Sequence, residues 1–223
     1  MVNFTTLAFN PMSRMNEVSR YSSVYQETNE SLAEHITDVS VMSYLIAKTI
    51  QSNFTDDIDL GMLLEKCLLH DIDEVITGDV PRNTKYATSS VRDNLVGVAS
   101  NAVDLIEKYI GIRGICEVWD FAKEGKEGAI LKIVDMLCVV KKSITEIELR
   151  GNLSFLKVVT ELETHLTTML SCDEVYERFE DERTRKFLKN LVSQAKDEIV
   201  TIRVKYQSVI DKYHIKENVI RGY

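Results

Sequence analysis

The chain of 223 residues is poor in helix-ending residues, with two prolines, Pro11 and Pro81, and nine glycines. Long stretches between them carry apolar residues at a spacing of three to four, which is typical of amphipathic helices. We find no convincing run of alternating polar and apolar residues, and no internal repeat. The sequence therefore predicts an all-α protein.

Paired cysteines are also lacking, because the four cysteines at 67, 116, 138 and 172 lie far apart and form no CxxC motif. This spacing argues against a closed cysteine zinc site and against a disulfide framework. We expect four reduced thiols in a reducing compartment, and hence a cytoplasmic protein.

No stretch approaches 18 consecutive apolar residues, so we expect no membrane-spanning segment. The first residues contain neither a basic cluster nor an apolar run, so we expect no secretory signal. The net charge of −8 argues against binding to a nucleic-acid polymer, which needs a basic surface. It leaves room for a small phosphate ligand that is held by a metal and one or two arginines.

The most informative stretch is Leu68–Arg82, which reads LLHDIDEVITGDVPR. A helix predicted over about Ile58–Ile76 carries an apolar stripe, and extending that stripe by three residues reaches Asp71. A buried carboxylate is costly unless a cation or strong hydrogen bonds compensate it. We therefore interpret His70 and Asp71 as part of a metal site. Glu74 would share their helix face.

Two further candidate ligands lie on other predicted helices. His35 follows a capping-box pattern at Ser31–Glu34 that begins a helix running to about Gln51. Asp135 lies on the apolar stripe of a helix predicted over about Glu127–Arg150. Two imidazoles and two carboxylates suit a borderline or hard divalent ion with open water positions. A lone histidine on an apolar face is more often a core residue, and His165 and His214 are interpreted as helix-surface histidines.

Other polar residues near this set suggest phosphate chemistry. Glu74 could take or give a proton, and Asp79 is a second acid within reach. Arg20 offers a planar fork for phosphate oxygens, and Tyr21 could pack on a sugar or a base.

The remaining pattern predicts helices over 11–20, 91–110, 114–123 and 153–171, and a last helix that starts near Arg183 and continues through Tyr213. The last helix is expected either to dock on the domain or to pair with another subunit, and docking is the more common outcome. We expect a single domain over 1–223, with a core of about 10–175 and a helical extension over 185–223.

The order H…HD…D resembles that of the HD-domain metal-dependent phosphohydrolases, and within them the chain closely resembles the YfbR-like 5′-deoxynucleotidases. Three stretches carry the resemblance: Ser31–Ile46, Leu69–Tyr86 and Lys132–Leu153. The string HD-x-x-E-x-x-x-G-D-x-P within the second stretch is specific, whereas a bare HD pair is not. The resemblance covers about residues 10–175.

The resemblance implies a compact all-helical HD fold, commonly a homodimer, that removes phosphate from deoxyribonucleoside 5′-monophosphates. It implies a divalent ion, with Co²⁺ or Mn²⁺ expected first and Zn²⁺, Ni²⁺, Mg²⁺ or Cu²⁺ as other candidates. The implied metal ligands are His35, His70, Asp71 and Asp135. The implied catalytic residues are Glu74, Asp79 and Arg20. The implied substrate contacts are Arg20, Tyr21, Asp71, Asp79, Val80, Pro81, Arg82 and Asp135.

Two departures from the family and two alternative functions remain open. Tyr21 stands where the family often has tryptophan, and Arg82 replaces a smaller residue and could add a phosphate contact. One alternative is a dNTP triphosphohydrolase, which needs more basic residues than Arg82 and Lys85, the only obvious candidates. The other is a nucleotide-binding or regulatory protein without turnover, and the intact ligand set and Glu74 count against it.

Overall fold

A computed structural model of the chain describes residues 3–8 and 10–213. The α-helices, in chain order, are α1 (Phe4–Ala8), α2 (Leu32–Asn53), α3 (Leu60–Leu69), α4 (Glu74–Thr77), α5 (Arg82–Lys85), α6 (Ser89–Ile110), α7 (Ile115–Asp120), α8 (Gly125–Ile144), α9 (Leu156–Leu170), α10 (Asp173–Tyr176), α11 (Glu182–Lys205) and α12 (Gln207–Lys212). Short 3-10 helices cover Pro11–Asn16 and Leu153–Phe155, and a π-helix covers Thr145–Leu149. The only β-pairing in the described ranges is a single bridge between Ser19 and Ser31. The predicted all-α class is confirmed.

The capping box at the start of α2 is present as predicted. The Ser31 hydroxyl accepts a hydrogen bond from the Glu34 backbone N–H at 3.2 Å, and the Glu34 carboxylate accepts one from the Ser31 N–H at 2.7 Å. Two otherwise unpaired N–H groups at the helix start are thus satisfied. The first turn of α2, which carries His35, is therefore well fixed.

Helix α8 lies at the centre of the larger of two hydrophobic clusters and packs against α2, α3, α9 and α11. Ala129, Ile130, Leu131 and Val134 are completely buried, and each of the three larger side chains contributes roughly 1.5–3 kcal/mol by leaving water. A Cβ atom at Gly128 would lie 2.3 Å from the Lys123 carbonyl carbon. Glycine at this position lets the segment that carries Lys123 lie directly against the start of α8.

A smaller hydrophobic cluster joins the start of α2 to the end of α3, to α6 and to α7, with Leu32, Ile36, Leu69, Ile72 and Ile106 among its members. Val39, Cys67 and Val134 belong to the larger cluster. The segments around residues 35 and 70 therefore lie where the two clusters meet. Within the described ranges, no helix has both the length and the apolar character needed to cross a membrane.

The predicted continuous helix over Ile58–Ile76 is wrong in its middle. Helix α3 ends at Leu69, and α4 begins at Glu74. Between them the backbone is held by hydrogen bonds of the i to i+3 type, such as Ile72 N–H to Leu69 O at 3.1 Å and Glu74 N–H to Asp71 O at 3.1 Å. In a continuing α-helix the Cys67 carbonyl would accept from the Asp71 N–H, but here it faces Nδ1 of His70 at 2.8 Å. His70 and Asp71 therefore lie in a tight turn, and they share no continuous helix face with Glu74.

The predicted helix over Glu127–Arg150 is likewise in two parts, since α8 gives way to the π-helix after Ile144. Gly151 follows with a φ of 72°, in the left-handed region that favours glycine after a helix end. The predicted helices over 91–110 and 153–171 are confirmed as α6 and α9, and the helix predicted over 114–123 is the shorter α7. Over 11–20 the helix is a 3-10 helix that ends at Asn16.

The last long helix docks on the rest of the chain, which was the outcome expected to be more common. Helix α11 packs against α9 and α8 and buries Leu188, Val192, Ile199 and Ile202. The predicted single helix breaks at Tyr206, where α12 begins one residue later. Residues 214–223, including His214, lie outside the described residues. The expected domain limits stay a prediction. All four cysteines are free, as expected.

Candidate active site

The four residues expected to bind a metal come together from three parts of the chain. His35 lies on α2, His70 and Asp71 lie in the turn after α3, and Asp135 lies on α8. Each offers one ligand atom, and these atoms all lie within 4.8 Å of one another. Both imidazoles are buried, with 1% and 0% of their side chains exposed. The group could therefore hold one metal ion.

The hydrogen bond made by Nδ1 of His70 leaves its other ring nitrogen, Nε2, as the candidate metal ligand. Nδ1 of His70 lies 2.8 Å from the Cys67 carbonyl, so Nδ1 carries a proton and Nε2 is the nitrogen that a metal would bind. Nε2 lies 3.1 Å from an Asp71 oxygen, and Nε2 of His35 lies 3.3 Å from Asp135 and 3.7 Å from Asp71. Both Nε2 atoms are nevertheless buried without a hydrogen-bond partner. Orphaned buried nitrogens that face two carboxylates fit a bound cation, because such atoms are rarely left unsatisfied.

The electrostatics of the carboxylates favour their ionised form. Desolvation would raise the pKa of Asp71, but His70 and Arg20 outweigh it and hold the pKa well below its usual range. The same opposition holds for Asp135, where the neighbouring His35 imidazole and the charge of Lys123 lower the pKa. Both side chains are thus ready to bind a cation as carboxylates.

Glu74 lies beside the four candidate ligand residues, at the start of α4. Its Oε2 atom is buried without a hydrogen-bond partner and lies 3.8 Å from Nη1 of Arg20. Burial, and then repulsion from Asp71, raise the pKa of Glu74 to about 9. A divalent cation on Asp71 would offset that repulsion. Glu74 is thus a group whose protonation depends strongly on its surroundings, as expected of a proton-transfer residue.

Arg20 reaches the site from the segment before α2. Its Nη1 lies 3.4 Å from Asp71, and its Nε lies 3.4 Å from Glu30. Only 12% of its side chain is exposed. Glu30, which the sequence reasoning missed, also lies 3.8 Å from Nδ1 of His35. The Glu30 carboxylate therefore lies close to both Arg20 and His35.

Tyr21 has a φ of 55°, the left-handed region that bulky residues rarely adopt. Two contacts around it fix this backbone: Gln26 Nε2 donates to the Arg20 carbonyl at 2.6 Å, and the Val24 N–H donates to the Tyr21 carbonyl at 2.9 Å. The Tyr21 ring packs on Phe155, with 5.3 Å between centroids. Such local strain is most often found at functional sites.

A cavity of about 460 Å³ opens beside these residues. Every residue expected to contact substrate lines it: Arg20, Tyr21, Asp71, Asp79, Val80, Pro81, Arg82 and Asp135, together with Glu74. His35 and His70 are not part of the lining, which is consistent with their burial beneath it. The cavity is large enough for a small-molecule ligand.

The cavity also contains basic residues that the sequence reasoning missed. Lys123, Lys132 and Lys157 line it beside Arg82 and Lys85, so the expectation that only the last two were candidates is wrong. Lys132 lies three residues before Asp135 on α8, and that spacing could have identified it. Lys123 and Lys157 come from other segments and give no local signal. His165, interpreted as a surface histidine, also lines the cavity, which corrects that interpretation.

The family described as 5′-deoxynucleotidase YfbR-like matches residues 8–187. The chain belongs to the YfbR-like family. A 5′-deoxynucleotidase YfbR of Shigella dysenteriae is 24% identical over 172 residues, covering 75% of this chain and 86% of the relative. Its counterpart in Escherichia coli strain K12 matches with the same identity and coverage.

Solved structures share the fold of this YfbR-like chain. An HD-domain phosphohydrolase of Listeria innocua has a TM-score of 0.66 at 21% identity, covering 93% of this chain and 98% of the other. An HD phosphohydrolase of cyanophage S-2L, bound to dA and one catalytic Zn²⁺, has a TM-score of 0.51 at 16% identity, covering 91% and 95%. The all-helical HD fold expected from the sequence is thereby confirmed.

Proposed function

We propose that this YfbR-like HD phosphohydrolase is a 5′-deoxynucleotidase that releases phosphate from deoxyribonucleoside 5′-monophosphates. The observation that carries the proposal is the single cavity where Arg20, Glu74 and Asp79 meet two of the four candidate metal ligands. Family membership supports the substrate class, since the curated relatives are 5′-deoxynucleotidases. The cyanophage structure that holds dA supports a deoxynucleoside ligand.

His35, His70, Asp71 and Asp135 would hold one divalent ion, with Co²⁺ or Mn²⁺ expected first. Zn²⁺, Ni²⁺, Mg²⁺ and Cu²⁺ are the other ions to test. The mixed nitrogen and oxygen donors and the orphaned Nε2 atoms support this assignment. When bound, the ion supplies Lewis-acid chemistry that neutralises phosphoryl charge and acidifies water.

The side chains around the candidate ligands would bind the phosphate, transfer the proton and contact the nucleoside. Arg20 binds and orients the phosphate, because its guanidinium faces the cavity with Asp71 and Glu74 close by. Glu74 holds and moves the proton that the attacking water loses and the leaving 5′-oxygen gains. Asp79 lies further along the cavity wall and binds the sugar or assists with the proton. Tyr21, Val80 and Pro81 offer apolar surface to the deoxyribose and base.

A phosphate-release assay tests the proposal. The substrates are dAMP, dGMP, dCMP and dTMP with the four matching ribonucleotides, each with Co²⁺ or Mn²⁺ and after removal of metal by EDTA. We expect orthophosphate from the deoxynucleotides, loss of release with EDTA, and recovery when metal returns. Asp56→Asn, which alters a buried carboxylate outside the cavity, is the matched control and should keep its activity. No orthophosphate under any metal would overturn the proposal.

A dNTP triphosphohydrolase is the second candidate, and the lysines of the cavity favour it. Six basic side chains line the cavity, against five acidic ones, two of which a divalent cation would neutralise. The ion pairs among the described residues include Lys126, Lys141 and Lys142 but none of Lys85, Lys123, Lys132 and Lys157. Several cations around one cavity suit a longer phosphate chain. Chromatography of the products decides, since this activity yields triphosphate and the first yields orthophosphate.

A cytoplasmic homodimer remains part of the proposal, on the family resemblance alone. Light scattering at several protein concentrations measures the mass in solution. A mass of about one chain, 25.5 kDa, at all concentrations would contradict the dimer.

A further inference from the structure

Residues 22–30 form a loop that directly follows Arg20 and Tyr21 and ends at Glu30. Its two ends are joined by the Arg20 N–H, which donates to the Glu30 carbonyl at 2.9 Å. Its middle is mostly polar, although Val24 packs against the larger hydrophobic cluster and Gln26 donates to the Arg20 carbonyl. Contacts from outside the loop add to these in fixing its middle, since loops with few buried contacts open easily.

Glu146 makes these outside contacts. Its side chain is completely buried and accepts hydrogen bonds from the backbone N–H groups of Glu27 at 2.9 Å and Thr28 at 3.2 Å. It also accepts from Lys142 Nζ at 2.8 Å and from Asn152 Nδ2 at 2.7 Å. Each carboxylate oxygen thus has two donors, which is a fully satisfied arrangement for a buried acid.

Lys142 and Asn152, which donate to Glu146, also hydrogen-bond to the loop backbone. Asn152 Nδ2 donates to the Tyr25 carbonyl at 2.8 Å, and Lys142 Nζ donates to the Thr28 carbonyl. We call Glu146, Lys142 and Asn152 the Glu146 cluster. Together its three side chains hold backbone groups of Tyr25, Glu27 and Thr28.

The chain path connects this cluster to the active site. Glu146 lies in the π-helix that directly follows α8, the helix that carries Asp135. A π-helix changes the direction of its side chains relative to a continuing α-helix, and such segments are frequent at functional sites. Lys142 also lies over the ring of Phe155, against which Tyr21 packs. One end of α8 therefore holds the loop, and an earlier turn of α8 supplies a candidate metal ligand.

We propose that Glu146 is a positioning residue of this active site, which fixes the 22–30 loop so that Arg20 and Tyr21 face the candidate metal ligands. This inference rests on the proposed function for the role of Arg20 in phosphate binding. Glu146 contacts neither the cavity nor the ligand residues, so its effect on turnover passes through the loop.

Hydrogen exchange of the metal-free chain tests the contact itself. In Glu146→Gln we expect the amides of Glu27 and Thr28 to exchange about tenfold faster or more than in the parent chain, because a charged acceptor is lost. Asp56→Asn is the matched control, since Asp56 is also buried and accepts from the backbone N–H groups of Glu180 and Asp181. It should leave exchange at 27 and 28 unchanged. Equal exchange in the parent and Glu146→Gln chains would overturn the proposal.

A double-mutant cycle tests the link to Arg20. Glu146→Gln should raise KM about tenfold with a smaller change in kcat, and in an Arg20→Ala background it should have little further effect. Full additivity of the two changes would overturn the proposal. Asn152→Ala, which removes the Tyr25 contact without leaving a charge unpaired, should shift exchange and KM in the same direction, and it serves if Glu146→Gln does not fold.

The two proposals can fail separately. If the parent chain releases no phosphate, the proposed function fails, and exchange at Arg20, Glu27 and Thr28 still decides whether Glu146 fixes the loop. If the parent is active and Glu146→Gln matches Asp56→Asn in both exchange and KM, only the positioning role fails.

Discussion

Two buried polar groups each include one residue of α8, Asp135 in one and Lys142 in the other, and they differ in how well their polar atoms are satisfied. In the Glu146 cluster, each carboxylate oxygen accepts two hydrogen bonds from the protein. Among the four candidate metal ligands, the Nε2 atoms of His35 and His70 are buried with no hydrogen-bond partner. Their contacts with Asp71 and Asp135 are ion-pair contacts of 3.1–3.7 Å.

This difference separates a structural polar group from a functional one. A fully satisfied buried network stabilises one conformation and needs nothing further. An unsatisfied group costs free energy until a ligand completes it. A divalent ion should therefore stabilise the fold through the four ligand residues and should do nothing through Glu146. The predictions below test this comparison, beginning with the largest effect.

Asp71→Asn should reduce phosphate release about 1,000-fold or more, since a metal ion contributes several kcal/mol of charge stabilisation. It should also abolish the rise in the midpoint of thermal unfolding that Mn²⁺ or Co²⁺ gives the parent chain. Scanning calorimetry with and without the ion measures that rise. Glu146→Gln should keep it. A full metal response in Asp71→Asn would remove the distinction between the two groups.

Glu74→Gln should reduce turnover about 100- to 10,000-fold, because it removes a proton-transfer group and keeps the size of the side chain. The rise in unfolding midpoint with metal should remain, because Glu74 is outside the four-ligand set. Steady-state kinetics and calorimetry on the same preparation measure both quantities. Turnover within threefold of the parent would exclude Glu74 from proton transfer.

Glu146→Ala should lower the free energy of unfolding by about 3–5 kcal/mol with or without metal, because it leaves the Lys142 ammonium buried and unpaired. Replacing Lys142 by Met in the same chain should recover part of this loss. Urea unfolding measures the free energies. If metal addition alone rescued the variant, the two groups would not be independent.

The Glu146 cluster should also make folding stability fall in acid. Desolvation would raise the pKa of Glu146, but hydrogen bonds from Asn152, Lys142 and the two loop amides lower it to about 2. A lowered carboxyl pKa stabilises the fold above the unfolded pKa of about 4.3, and that stability is lost as the pH falls towards 2. Urea unfolding between pH 5 and 2 should show a smaller acid loss in Glu146→Gln than in the parent. Parallel curves would mean that the Glu146 pKa is not lowered.

The smallest effect is expected at the cavity wall. Lys132→Ala combined with Lys157→Ala should weaken dATP binding about fivefold and dAMP binding less, since partly exposed charges each contribute up to about 1 kcal/mol. Calorimetric titration of the Glu74→Gln chain, whose slow turnover should leave the ligands largely intact, measures both affinities. Equal weakening for the two ligands would argue against the triphosphohydrolase alternative.

Local sequence patterns predicted most of the helices and all four residues of the group that could hold a metal ion. The capping box at Ser31, the stripe that reaches Asp71 and the acid at Asp135 are all readable within one or two helical turns. The same reasoning did not find Glu146, because the α-helix that carries Asp135 gives way to a π-helix before Glu146 and α-helical spacing no longer relates the two residues. It missed the break at His70, because that break depends on the His70 imidazole, which hydrogen-bonds to the Cys67 carbonyl in place of a backbone N–H.

The sequence by itself determined the helical class, the family and the four candidate ligand residues, because apolar spacing and a specific motif are local properties. Only the tertiary structure decided which distant groups meet. The loop amides at 27 and 28 lie about 120 residues from Glu146, and Lys123, Lys132 and Lys157 meet around one cavity from three segments. Such meetings depend on how α8 packs against its neighbours, since side chains that are distant in sequence become neighbours only when the shared core closes.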